Sequence, residues 1–226
     1  MSTPNHRIRL IMELRRAGVV DTRVLSAVER TPREIFCLPQ FRDRAYEDTA
    51  LPIAHDQTLS QPTVVALMTQ ALEVQPRQKV LEVGTGSGYQ AAILSLLCRR
   101  LYTIERHRPL LVDAEERFKT LRLNNVVTRH GDGWAGWTEQ APFDRIMVTA
   151  APDAVPQSLI EQLAVGGIMV VPVGREARSQ ELLRVRRTET GHEIDNLAAV
   201  RFVPLVHGIP MDDEALSAGQ ARKSRA

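Results

Sequence analysis

The sequence predicts an α/β domain with helices on both faces of its sheet. Three observations carry this. A glycine-rich turn stands between two apolar runs, Val80–Val83 and Ala91–Leu97. Beyond it, short β-branched runs alternate with segments of helical periodicity. The chain is 226 residues long and 43% apolar, enough for one core but cramped for two. The pattern is that of a Rossmann-like sheet.

Residues 7–30 place Ile8, Ile11, Met12, Val24, Leu25 and Val28 at helical intervals around Gly18, which predicts two short helices with Asp21 capping the second. Thr31-Pro32 opens a further helical piece that Pro39 should end. This N-terminal part reads as a helical cover packed on one edge. Tyr46 to Pro62 has no periodicity and reads as a loop dense in polar groups: His55, Asp56, Gln57, Thr58 and Ser60. A helix then runs from Pro62 to Leu72, with Ser60 a candidate N-cap.

Lys79–Val83 is the first central strand and Gly84, Gly86 and Gly88 form the turn after it, where a ligand can lie against bare backbone. The spacing is G-x-G-x-G, tighter than the G-x-G-x-x-G that usually holds a pyrophosphate. Glu82 would repel a pyrophosphate but suit the ammonium of an amino-acid-bearing cofactor, which favours S-adenosylmethionine over NAD. Leu101–Ile104 is a second strand ending in Glu105, 17 residues after Gly88 and near the spacing of a ribose ligand. A helix over Pro109–Leu123 leads to a strand at Val126–Thr128 and then to Gly131-Asp132-Gly133, where Asp132 is placed for adenine recognition.

Phe143–Val148 is a fourth strand. Thr149-Ala-Ala-Pro152 follows it, without the Asn/Asp-Pro-Pro-aromatic tetrapeptide of amino-methylating enzymes, so nucleobase methylation loses weight. Gln157–Leu163 should be helical, Gly166-Gly167 should turn the chain, and Ile168–Val171 supplies a fifth strand closed by Pro172. Strands at 181–187 and 199–206 flank a turn near Gly191 and read as C-terminal antiparallel strands. Residues 211–226 read as a flexible tail.

The formal charge of +2 forces no polyanionic partner. Cys37 and Cys98 have no disulfide or metal-ligand spacing, and no metal is expected. No run approaches the roughly 18 apolar residues of a membrane span, and the N-terminus lacks a signal-like apolar stretch, so the expectation is a cytoplasmic protein.

Three stretches together closely resemble the protein-L-isoaspartate O-methyltransferases: the loop Leu51-Pro-Ile-Ala-His-Asp-Gln-Thr-Leu-Ser-Gln-Pro62, the turn Leu81-Glu-Val-Gly-Thr-Gly-Ser-Gly-Tyr89, and Arg201-Phe-Val-Pro-Leu205. The loop is the specific part, since many methyltransferases share the turn. The resemblance spans roughly 10–208 and implies a class I methyltransferase sheet. It also implies a single domain, with residues 1–75 as cover and substrate loop and 76–210 as cofactor sheet and late strands. The implied activity is methylation of the isoaspartyl carboxylate in damaged proteins, with S-adenosylhomocysteine as product and a succinimide formed later from the ester.

By that resemblance Ser60 is the active-site serine, and Thr58, Leu59, Gln61, Pro62 and Val203 hold substrate. Glu82, Gly84, Gly86, Ser87 and Gly88 belong to the cofactor loop, Glu105 with Arg106 to the ribose, and Asp132-Gly133 to the adenine. Isoaspartyl proteins and peptides are the implied partners, met by a monomer without nucleic acid or membrane. Ala54 and Asp56 stand where the family usually has glycine, and Leu59 replaces a common isoleucine. Asp56 brings a negative charge toward a site for a carboxylate, unless it points outward. No Gly-x-Ser-x-Gly elbow surrounds Ser60, so its expected role is to position the acceptor and not to attack it. The rivals are a methyltransferase of another acceptor, a peptide-binding relative without activity and, third, an NAD-dependent oxidoreductase.

Overall fold

The structure, a computed structural model, describes residues 4–176 and 179–210. Helices α1 (Pro4–Arg16) and α2 (Thr22–Arg30) lead. Asp21 caps α2 as expected, accepting the Arg23 amide at 2.8 Å. Two 3-10 helices follow, Arg33–Phe36 and Pro39–Arg44. Pro39, expected to stop the first, opens the second, where its fixed φ is an asset and its missing N–H costs nothing. A small hairpin, β1 (Leu51–Pro52) with β2 (Thr58–Leu59), occupies part of the predicted loop before α3 (Pro62–Ala71).

The remaining elements are β3 (Lys79–Val83), α4 (Tyr89–Ser95), β4 (Arg100–Glu105), α5 (Arg108–Thr120), β5 (Val126–His130), two further 3-10 helices (Gly133–Ala135 and Thr138–Gln140), β6 (Phe143–Val148), α6 (Gln157–Glu161), β7 (Leu163–Val173), β8 (Gln180–Arg187) and β9 (His192–Val200). They build one seven-stranded sheet in the order β5-β4-β3-β6-β7-β8-β9. The first five strands are parallel; β8 and β9 run antiparallel, as the sequence predicts.

Alternate strand residues go to opposite faces. Val80, Met147, Ile168 and Val170 pack against Met68, Leu72, Ala91, Leu94, Ala114 and Phe118 from α3, α4 and α5. Leu81, Ile146, Val148, Met169 and Val171 pack with Leu159 and Ile160 of α6. With both faces covered, the central strands read as near-continuous apolar runs. The N-terminal cover seals the outside of the helical layer and not an edge of the sheet. Leu14, Val24, Leu25 and Val28 join Val65 and Ala66 of α3 and Ala92 and Ile93 of α4 in one cluster.

Two more expectations are corrected here. Gly166-Gly167 does not turn the chain but lies inside β7 as an irregularity, where the partner register steps from Phe143–Leu163 to Arg145–Ile168. The last strand covers 192–200, not 199–206. After Val200 the Gln180 side chain takes over the backbone pairing: its Oε1 accepts the Phe202 amide at 2.6 Å and its Nε2 donates to the Phe202 carbonyl at 3.1 Å. This draws the chain off the sheet edge. The expected tail at 211–226 lies outside the described residues.

Candidate active site

The chain runs from β3 to β4 and β5 on one side, then returns to β6 on the other, so the carboxyl ends of β3 and β6 flank a topological switch point. Ligands bind open α/β sheets in that crevice. Here it opens into a cleft lined by the glycine turn, the loop before α3 and the segment beyond β9.

The turn needs glycine for two separate reasons. Gly84 and Gly88 have φ of +96° and +91°, which residues with a Cβ rarely adopt. A Cβ on Gly84 would stand 2.3 Å from Thr149 Oγ1, and one on Gly88 would stand 2.7 Å from the Phe118 ring. Thr149, just past β6, donates to the carbonyls of Val83 at 3.0 Å and Gly84 at 2.7 Å, fastening the two strand ends together. The Glu105 carboxylate accepts the Gly86 amide at 2.8 Å and the His107 amide at 2.9 Å. Each oxygen keeps a lone pair for a ligand hydroxyl.

Gly84, Gly86, Ser87, Glu105, Arg106 and Gly133 line the cleft as anticipated. Glu82 does not. It is wholly buried in the sheet and accepts the Thr103 hydroxyl at 2.5 Å, while its other oxygen has no partner among the described residues. Burial, with the Glu105 carboxylate adding to it, pushes the Glu82 carboxyl up to about 8. It is a neutral acid supporting the turn from behind, so the direct contact with an ammonium expected from the sequence is not matched by its position. Asp132 is likewise outside the lining: it accepts the Trp134 amide at 2.9 Å and the Gly208 amide at 2.8 Å. Gly88, Gln61 and Pro62 do not line the cleft either.

The opposite wall carries Thr58, Leu59 and Ser60. The Ser60 hydroxyl has no hydrogen-bond partner among the described residues and is not the cap of α3. That cap comes from Asp48, which sequence reasoning missed because it lies outside the helix it serves. Its carboxylate accepts the Thr63 amide at 2.8 Å, the Thr63 hydroxyl at 2.7 Å and Gln61 Nε2 at 3.0 Å, closing the base of the loop around Ser60. At the loop tip His55 and Asp56 have φ of 57° and 54°. The left-handed backbone is a conformation in which glycine is at ease, and Asp56 is exposed, so its charge stays in water.

The third wall is residues 202–206, with Val203 facing the cleft. The Val203 carbonyl accepts the Ala151 amide and the Ala151 carbonyl accepts the Leu205 amide, both at 2.8 Å. Beyond it His207 stacks on Trp134 at 4.2 Å, and the Arg106 guanidinium donates to the Gly208 carbonyl at 3.2 Å. Burial pushes the thiols of Cys37 and Cys98 up, the latter to about 12, which keeps both inert. No cluster of metal-ligating side chains exists among the described residues.

Comparison with known proteins shows the family of the chain. The family described as protein-L-isoaspartate(D-aspartate) O-methyltransferase matches residues 5–209. A protein-L-isoaspartate O-methyltransferase of Rhodospirillum centenum is 61% identical over 207 residues, covering 91% of this chain and 94% of its own. One from Paramagnetospirillum magneticum is 63% identical over 204 residues, covering 90% and 95%. A Plasmodium falciparum structure described as a protein-L-isoaspartate O-methyltransferase, in complex with S-adenosyl-L-homocysteine, superposes with a TM-score of 0.77 at 25% identity, over 89% of this chain and 98% of that one. Another structure named for the same activity gives 0.79 at 29% identity, over 88% of this chain and 65% of that one. By sequence and by fold, this chain belongs to the protein-L-isoaspartate(D-aspartate) O-methyltransferase family.

Proposed function

We propose that this chain transfers a methyl group from S-adenosylmethionine to the free carboxylate of L-isoaspartyl residues in damaged proteins and peptides. The observation that carries the reading is that Ser60 and the glycine turn line one cleft. S-adenosylmethionine, when bound, supplies an electrophilic methyl on a sulfonium. The chain fits that cofactor: at Gly86 an added Cβ would meet only Ile53 at 3.7 Å, so the turn's backbone is open there, while glycine at 84 makes room for Thr149, and Glu105 and Gly133 line the same cleft. Arg106 and Ser87 complete that half.

The acceptor carboxylate is ionised near neutral pH, so no base is required. What the residues must do is hold it in line and exclude water, a positioning effect worth on the order of 7–11 kcal/mol. Ser60 suits this because one hydroxyl donor orients a carboxylate without quenching its nucleophilicity as a bidentate arginine would. Thr58 and Leu59 flank it, and Val203 offers backbone to the peptide from across the cleft. Gln61 and Pro62 act through the loop and helix start, and Glu82, Gly88 and Asp132 through the turn and the segment at Gly208.

In this reading the enzyme is a single-domain cytoplasmic monomer that uses neither nucleic acid nor membrane. Among the described residues no helix is long and apolar enough to cross a membrane. The test is incubation with labelled S-adenosylmethionine and matched isoaspartyl and aspartyl peptides. Base-labile label on the isoaspartyl peptide alone is expected. Equal labelling of both points to another acceptor, and none despite cofactor binding points to an inactive relative.

A further inference from the structure

Behind a wall of the cleft lies a positive charge that no ion pair among the described residues neutralises. Arg33 is wholly buried, and among the described residues it forms no salt bridge. Its Nη2 donates to the Thr49 carbonyl at 3.2 Å, but Nε and Nη1 have no hydrogen-bond partner. The guanidinium lies 4.8 Å from the centre of the Tyr89 ring, and the Tyr89 hydroxyl is also buried without a partner. Tyr89 lines the cleft, so the charge sits one aromatic ring behind its wall. The carboxylate that Arg33 feels, Asp48, has its own donors at Gln61 and Thr63. A buried, underpaired guanidinium is costly, and its field passes through a poorly screening interior.

We propose that Arg33 is a specificity-determining residue, whose fixed charge behind Tyr89 makes the acceptor site prefer an ionised carboxylate to a neutral amide or ester. The inference rests on the isoaspartyl reading above and deepens it. Methyl transfer removes the negative charge of the acceptor, so the same field that draws the substrate in does nothing to retain the neutral methyl ester. Arg33 therefore favours binding of the charged peptide and does not accelerate the chemical step, because its field stabilises the carboxylate more than the charge-neutralising transition state.

The test is competition binding to the complex with S-adenosylhomocysteine, comparing an isoaspartyl peptide with its isoasparaginyl counterpart, which removes the charge and replaces one acceptor oxygen by an NH2, so that the effect of Arg33 is read from the change in the ratio between variants. The wild-type protein is expected to prefer the charged peptide by about tenfold or more, a ratio that changes less than about twofold between low and high salt. Arg33→Met is expected to bring the ratio to about twofold or below with S-adenosylhomocysteine affinity intact, and Arg33→Lys to retain most of it. An unchanged ratio in Arg33→Met overturns the proposal. So does a wild-type ratio that collapses in salt, which assigns the preference to accessible cations such as Arg106. If Arg33→Met does not fold, the wild-type salt series and Arg33→Lys decide, loss of the ratio in folded Arg33→Lys being fatal. A wild-type protein that fails to methylate isoaspartyl peptides sinks the function itself, whereas methylation with the ratio kept in Arg33→Met sinks only this inference.

Discussion

Glu105 holds the Gly86 amide at 2.8 Å, so one carboxylate both shapes the glycine turn and faces the cleft beside it. Glu105→Gln keeps the volume but sets an amide NH2 against one of two backbone donors, Gly86 or His107. Hydrogen bonds to charged groups are worth about 1.5–3 kcal/mol, so S-adenosylhomocysteine affinity is expected to fall about ten- to a hundredfold. Titration calorimetry checks this; a change under twofold contradicts the dual role.

Gly84→Ala is expected to be harmful through the fold as well as the ligand. The backbone φ of +96° disfavours alanine, and the new Cβ meets Thr149 Oγ1, whose two hydrogen bonds join β3 to β6. A loss of about 1–3 kcal/mol in urea denaturation, with cofactor affinity reduced alongside, is the expected outcome.

Asp48→Ala should separate loop order from cofactor binding. Three donors at Gln61 and Thr63 lose their acceptor. Turnover of an isoaspartyl peptide is expected to drop about tenfold or more, while affinity for S-adenosylhomocysteine stays within about twofold. Equal losses in both would place Asp48 in general stability only.

Ser60→Ala removes the free hydroxyl at the acceptor wall without touching a described hydrogen bond. A kcat lowered by about tenfold to a hundredfold is expected, with the melting temperature unchanged, since a positioning donor acts on the aligned state. Wild-type rates in this variant would remove Ser60 from the mechanism.

Glu82 gives stability a pH dependence of defined sign. Its carboxyl titrates near 8 when folded and near 4.5 in the reference state. The folded form holds the proton more tightly, so this contribution is full below about 4.5 and lost as pH rises through 8. The slope integrates to a few kcal/mol as an order of magnitude. Glu82→Gln mimics the protonated acid. Melting temperatures from pH 5 to 9 are expected to fall less steeply in the variant, crossing above wild type at the alkaline end.

Where a residue's own backbone or flanking pattern carries the information, the sequence is legible. The glycine turn declares itself because few residues can take its φ values, and β3, β4 and β6 declare themselves because both their faces are buried. The family resemblance names Ser60, Glu105 and Val203 separately, and the fold is what sets the three around one cleft. β9 was misplaced because both its faces are exposed, so His192–Asn196 shows no apolar rhythm. Glu82 read as a ligand because a lone acid beside glycines gives no sign that Thr103, 21 residues on, buries with it. Asp48 and Arg33 were invisible for a similar reason: what they do is fixed by residues far along the chain.

The wall at Val203 pairs with Ala151 and lies beyond the last strand of the sheet in chain order. A product ending at Val200 would retain all seven strands yet lack the third side of its cleft.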